Sequence, residues 1–369
     1  MTWQTSKKRA RRHSLLPDKL TIMNQFNRRK FNSCLTASIL GIVGTVIAQE
    51  KAPAVVHAKL DEPTKKAIAK ALAFMATKQN PDGSWSDGGY QHSTAITSFA
   101  LLAYMSQGHL PGQGMYGPEV NKGAQFLIAS AREPDGLLIG ARGGGQSMYS
   151  HGIATLTLSQ LWGTTSDDSI RPVLKRAVDL IIRSQNPQGG WRYNPTPADA
   201  DISVTVMQVM ALRAAKNAGL HVPDQTLKKA IEYIESCRDA KTGGYSYQPR
   251  AGGPEFARTA AGLCVLQLAG KYDSKDIPLA VEYLEKHFKS KSHFWYGHYY
   301  ASHAMHQVGG AAWNSWYAKL KELVLPEQGP DGAWSGNNLD SHKVGPIYQT
   351  SIAVIALSVP AQYIPIFQR

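Results

Sequence analysis

Apolar residues in this chain recur every three or four positions, and the segments that carry the pattern come in pairs. Ile68, Leu72 and Met75 share one face while Lys65, Lys66, Lys70 and Lys78 fall largely on others, the layout of an amphipathic helix with one buried side. Leu174, Ala177, Val178 and Ile181 draw the same stripe again. Each such segment runs into Pro and Gly, which stop a helix sharply. A second segment then follows that is apolar nearly all round: 94–104, 151–161, 203–214, 259–268, 299–308 and 350–359. A helix of that kind must be packed on several sides. The pattern predicts an all-α chain with six outer helices ringing six inner ones, an α/α toroid of six helix-pair repeats. An open superhelix would have the same local sequence. The apolar period of three to four excludes a strand-rich fold.

The turns repeat as well. Gln79-Asn80-Pro81-Asp82-Gly83-Ser84-Trp85 returns as Gln185-Asn186-Pro187-Gln188-Gly189-Gly190-Trp191 and as Gln328-Gly329-Pro330-Asp331-Gly332-Ala333-Trp334. Asp135-Gly136-Leu137-Leu138 and Thr242-Gly243-Gly244-Tyr245 are degenerate copies. The anchors at 85, 138, 191, 245 and 334 lie 53, 53, 54 and 89 residues apart, which predicts a further unit around Trp295. A period near fifty is the mark of a repeat array rather than of two unrelated domains. A Gln at a helix end can reach orphan backbone groups, and the Trp can stack over it, so the device is expected to fasten one helix pair to the next.

Charge changes the picture only at the N-terminus. The net charge is +13, but residues 1–48 hold nine basic groups against Asp18 alone. The remainder carries 31 basic and 26 acidic groups without obvious runs. Nucleic acid is therefore not an expected partner, since a phosphate-tracking surface needs clustered charge. Asn27-Arg28-Arg29-Lys30-Phe31-Asn32 precedes a short apolar run from Leu35 to Ile47 and then Ala48-Gln49. That order is expected of an export signal over 1–48, and the paired arginines resemble a twin-arginine signal. Met23 is the more ordinary start for it, which makes 1–22 an over-extended beginning. The run is short of a bilayer span, although retention as an anchor and peripheral membrane association stay open. A linker over 49–60 leads to the toroid over 61–369, and the expected location is the periplasm or cell envelope. Cys34 falls in the signal; Cys237 and Cys264 read as small buried residues that export would permit to pair.

The basic-small, aromatic or aliphatic pair, Gln and Gly-x-Trp sequence resembles the repeat of squalene–hopene and oxidosqualene cyclases and of protein prenyltransferase β subunits. The resemblance covers roughly 61–359 and implies the toroid fold. In the cyclases an Asp-x-Asp-Asp motif supplies the proton that starts cyclisation. Asp199-Ala200-Asp201-Ile202 stands at the comparable place with Ile202 in the position of the last acid. The resemblance thus nominates Asp201 and Asp199 as catalytic acids, while the bland reading has Asp201 or Ser203 capping the helix that follows. The prenyltransferase zinc ligands have no counterpart. Glu235-Ser236-Cys237 replaces Asp-x-Cys on an outer helix, and Gln349 in Ile347-Tyr348-Gln349-Thr350 stands where the family has its His. No zinc cofactor is implied on that basis.

Among the remaining residues, His303 and His306 share a helix face with His298 near, the only candidate set for zinc. Ordinary packing and hydrogen bonding are the expected role of all three. His92, Tyr149, His151, Asp201, Arg258, Tyr299 and Tyr348 lie near starts of inner helices, where a toroid crowds them around one mouth. They are expected to line an amphipathic cavity suited to an apolar or isoprenoid-like molecule, because aromatic faces stabilise a developing cation. Gly140-Ala141-Arg142-Gly143-Gly144-Gly145 lacks the Lys-Ser/Thr ending of a phosphate loop. Arg142 and Arg258 are candidate anion contacts. Two functions are consistent with this reading, an exported cyclase- or prenyltransferase-like enzyme and a non-catalytic lipid- or protein-binding scaffold, while a carbohydrate-active toroid is disfavoured because the cavity-facing acids are too few for paired-carboxylate chemistry.

Overall fold

The computed structural model describes residues 60–139, 147–165, 167–342, 345–361 and 363–367. The candidate export signal, the linker apart from Leu60, and the Gly-rich segment with Arg142 lie outside them. Six outer helices alternate with six inner ones: α1 (Glu62–Ala76), α2 (Thr94–Met105), α3 (Gly117–Ala129), α4 (Ser147–Thr164), α5 (Ile170–Arg183), α6 (Ile202–Asn217), α7 (Asp224–Ser236), α8 (Phe256–Leu268), α9 (Ile277–Lys286), α10 (Phe294–Val308), α11 (Gly310–Val324) and α12 (Pro346–Ser358). The even-numbered helices form the inner layer, and every one packs on the next. α12 packs back on α2, so the ring is closed rather than open. Two short antiparallel hairpins were not expected from the sequence: β1 (Trp85–Asp87) with β2 (Tyr90–Ser93), and β3 (Ser246–Gln248) with β4 (Ala251–Pro254). Each spans the connection from a turn to its inner helix.

The repeated turns do what their composition requires. Gln79 Nε2 donates to Gly83 O at 2.9 Å and to Glu119 O in the next outer helix at 2.9 Å. Gln185 Nε2 does the same to Gly189 O and Thr226 O at 2.8 and 2.9 Å. Gln328 Nε2 bonds Gly332 O and, across the ring closure, Ala67 O at 2.9 and 2.8 Å. The glycine is required here: Gly83 has φ 87, and a Cβ would stand 2.3 Å from Lys122 O. The anchor indoles fasten by hydrogen bonds. Trp85, Trp191 and Trp334 each donate Nε1–H at 2.8 Å to the carbonyl ten residues back, at Met75, Ile181 and Val324. Their backbone N–H groups donate to Thr97, Thr205 and Thr350 on the inner helices.

The fifth unit departs from the sequence expectation. Trp295 is buried in the first turn of α10, and its indole donates to Gln349 Oε1 at 3.1 Å. His298 takes over the fastening: its Nε2 donates to Phe288 O, ten residues back, at 3.1 Å. Packed against Phe256, Phe288, Phe294 and Trp316, it is driven by burial to a pKa of about 3. At the far end of the ring Ile364, Ile366 and Phe367 are buried, and Gln307 Nε2 donates to Phe367 O at 2.7 Å. No helix among the described residues is long and apolar enough to cross a membrane. Cys237 and Cys264 are both buried free thiols, so they are not joined to each other. Burial pushes the Cys237 thiol up to about 12.

Candidate functional site at the mouth of the ring

Asp201 is the N-cap of α6 and is fully buried. Its Oδ1 accepts from Val204 N at 3.0 Å, and its own N–H returns to Trp191 O at 3.1 Å, fixing the acid against the third turn. Oδ2 faces Arg192 Nε at 3.3 Å, an ion-pair distance with the N–H misaligned for a hydrogen bond. Burial raises the carboxyl pKa, because a charge there loses its water. The Val204 N–H, the Arg192 guanidinium and the Tyr247 hydroxyl oppose that shift. Asp199 is exposed and pairs with the same Arg192, so one guanidinium joins the two acids. The next unit holds this loop in place, since Gln248 on β3 donates Nε2–H to Ala200 O at 2.8 Å.

Aromatic rings surround the carboxyl. Arg192 stacks 4.9 Å above Tyr193 and 5.6 Å from Tyr247, and the two tyrosine hydroxyls meet at 2.5 Å. Tyr149 lies 6.1 Å from Tyr193, and burial raises its pKa well above the usual value. Tyr296 O–H donates to Ser203 O at 3.3 Å and continues through Tyr300, Tyr299 and Phe99 to Tyr348, with ring separations of 4.9, 4.9, 5.7 and 5.3 Å. Arg258 stands 5.7 Å from the Tyr247 ring and pairs with Glu255 at 2.5 Å.

Tyr149 and Arg258 thus stand in the Asp201–Arg192–Tyr247 group, while Tyr299 and Tyr348 connect to it through the ring chain that starts at Tyr296. Two of the expected lining residues do not join it. His151 is fully buried inside the second turn. Its Nδ1 accepts from Leu138 N at 3.1 Å, and Nε2 donates to Ala177 O at 3.1 Å. It fills the place of Thr97 and Thr205, and burial lowers its pKa to about 4. His92 is half-exposed, bonded by Nδ1 to Asp82 Oδ2 at 2.7 Å and to Ser84 Oγ at 3.0 Å in its own turn. Both sit near helix starts because they fasten turns there.

The zinc candidates are each engaged in packing. His298 is the fastener described above, His303 lies flat on Phe367 with ring centres 3.4 Å apart, and His306 meets Trp313 edge-on at 4.9 Å. No group of three His, Cys, Asp or Glu among the described residues stands close enough to hold a metal ion. Arg192, Tyr193, Tyr247 and Tyr296 were missed by sequence reasoning. The first two directly follow the anchor Trp191, and Tyr247 alternates with Tyr245 ahead of Gly252-Gly253, a hairpin signal that could have placed it.

Fold and mouth together define a closed α/α toroid with the buried Asp201 beside a group of tyrosines. The profile described as the prenyltransferase alpha-alpha toroid domain matches residues 52–284, and the chain belongs to that family. Among relatives, it is 29% identical to drimenyl diphosphate synthase of Streptantibioticus cattleyicolor over 150 residues, 39% of this chain and 27% of that protein. It is 39% identical over 66 residues to nezukol synthase of Isodon rubescens, 18% of this chain and 8% of that protein. The chain thus spans well under a third of the length of these relatives. Solved structures share its fold. The type II terpene cyclase MstE from Scytonema has a TM-score of 0.57 at 14% identity, covering 82% of this chain and 98% of that one. An α-1,6-mannanase of Salegentibacter has a TM-score of 0.63 at 9% identity, covering 81% and 99%.

Proposed function

We propose that the protein takes an apolar, isoprenoid-like small molecule into the tyrosine-lined mouth and acts on it as a terpene-cyclase-like enzyme, with Asp201 as the acid. The observation that carries this reading is a buried carboxyl, raised in pKa, beside Arg192 and a group of tyrosine rings. The Asp201 proton would go to one alkene carbon, the π pair forming the new C–H bond and leaving a cation on the neighbouring carbon. Tyrosine faces lower the energy of that cation, and Arg192 with the Val204 N–H stabilises the carboxylate left behind. A second alkene closes the ring by donating its pair, and loss of a proton from the last cation completes an isomerisation. Asp199 acts through Arg192 as a positioning residue. The solved MstE structure in complex with geranylgeranyl dihydroxybenzoate, named there as substrate, supports the choice of ligand class. Export through the 1–48 signal belongs to the same proposal, and cell fractionation of the full chain tests it.

The test of the chemistry is incubation of the pure protein with squalene and with prenyl diphosphates, followed by mass spectrometry of the products. Cyclised product from the parent and its loss in Asp201→Asn are expected. Product formation that is absent throughout, or equal in Asp201→Asn, overturns the enzymatic reading.

One specific observation favours a second reading, a non-catalytic lipid- or protein-binding scaffold. Ile202, fully buried, stands where the cyclases have their final acid, and Asp201 is also engaged as a helix cap. A lipid that co-purifies with both parent and Asp201→Asn would select it. The mannanase-like fold makes carbohydrate a third ligand class, which a polysaccharide binding screen covers.

A further inference from the structure

His293 closes the connection into α10 with φ 53, a left-handed backbone that costs a non-glycine residue of order 1 kcal/mol. Its ring lies 3.8 Å, centre to centre, from that of His342, which belongs to the loop ahead of α12 in the next unit. Both residues are exposed at the rim of the mouth. The His293 backbone N–H donates to His342 Nδ1 at 3.3 Å, and the same nitrogen stands 3.3 Å from Asp340 Oδ1. A ring nitrogen is an acceptor when bare and a donor when protonated, never both. Neutral His342 with a bare Nδ1 fits the His293 contact. The imidazolium must donate there, and Asp340 is the acceptor in reach.

Asp340 is buried and also accepts Trp295 N at 3.2 Å through Oδ2, at the start of α10. Trp295 is tied to Gln349, the neighbour of Tyr348 in the mouth. The loop is held down next to this point by Ser341, whose N–H and O–H both donate to Lys291 O, at 2.8 and 3.0 Å. The charged groups acting on His293 come from two further elements, the loop ahead of α12 and α8 with its N-cap. Burial and the His342 charge lower its pKa, Arg258 adds to that, and Asp340 and Glu255 oppose.

We propose that His293, His342 and Asp340 form a proton-operated clasp between the fifth and sixth units. One proton taken from solvent by His342 exchanges its bond to the His293 backbone for one to Asp340 and puts a charge against the stacked ring. The disturbance passes through Asp340 to the cap of α10 and to Trp295 beside the mouth. The clasp stands independently of what the mouth binds.

NMR of the full chain, labelled with 15N, tests it between pH 8 and 5. The ring nitrogens of His342, the backbone amide of His293 and the indole N–H of Trp295 are followed together. The expected result is that all three shift in one pH window, with His342 Nδ1 passing from acceptor to donor, and that His342→Asn removes the Trp295 response. Titration of His342 without a shift at His293 and Trp295 overturns the proposal, and so does an unchanged Trp295 response in His342→Asn. The parent titration decides the matter alone if that variant fails to fold.

Discussion

The Asp87 carboxylate accepts the backbone N–H of Tyr348 at 2.7 Å, linking residues 261 positions apart in the chain. Asp87 ends the first β-strand, Tyr348 lies in the first turn of the last inner helix, and α12 has no capping side chain of its own. The ring is therefore closed at the mouth by a helix cap supplied from the other end of the repeat array. Asp87→Ala should lower stability by about 1–2 kcal/mol, the worth of a lost cap, with Asp87→Asn losing less. Chemical denaturation of the three proteins checks the order.

Gln185 and Gln328 make the same pair of hydrogen bonds, but only Gln328 bridges the last unit to the first. Replacing either by Ala removes two bonds and should cost about 1–3 kcal/mol. Gln328→Ala should in addition increase protease cleavage near α1, which Gln185→Ala should not. Limited proteolysis under native conditions distinguishes them.

His151 sets part of the acid sensitivity. Its pKa falls from the usual value near 6.5 to about 4 on burial, so the unfolded chain binds the proton more readily than the folded one. The contribution is present in full above about 6.5 and is lost as pH falls towards about 4, amounting to about 3–4 kcal/mol at about 1.4 kcal/mol per pH unit. Asp87 and Asp201, raised by burial, act with the opposite sign, favouring the fold at low pH and losing that contribution as pH rises through their folded values. His151→Gln should flatten the fall in stability between pH 6.5 and 4 relative to the parent. Denaturation midpoints measured across that range report it.

His298→Ala should be among the most damaging single changes, because it opens a cavity among four aromatic rings and leaves the Phe288 carbonyl without its donor. A loss of about 3–5 kcal/mol is expected from comparable truncations of large buried rings. His306→Ala at the far end of the same helix should cost less. Adding zinc should stabilise neither the parent nor the variants, and thermal unfolding with and without the ion reads this out.

Tyr247→Phe removes the hydroxyl that meets Tyr193 and approaches Asp201. The Asp201 carboxyl should then titrate at a higher pH, since one group that favours its charged form is gone. Carboxyl NMR of 13C-labelled protein measures the shift.

What could be read along the chain was whatever is decided within about ten residues. The stripes of Ile68, Leu72 and Met75, the all-round apolar inner segments and the Gln-Gly-Trp turns state helix pairs, their period and their inner or outer place, because each depends on local backbone geometry and side-chain spacing. The place of Tyr149, Tyr299 and Tyr348 near the starts of inner helices followed from that register. Ring closure did not, since Asp87–Tyr348 and Gln328–Ala67 join the two ends of the array and an open superhelix has the same local pattern. Nor did the separation of His151 from Asp201. Both stand near helix starts, but one imidazole is consumed by Leu138 and Ala177 while the carboxyl meets Arg192 and the tyrosines of the next unit. His298 in the role of an indole shows the same limit. A hydrogen-bond donor of another residue type serves equally well, and only the three-dimensional position of Phe288 O selects it.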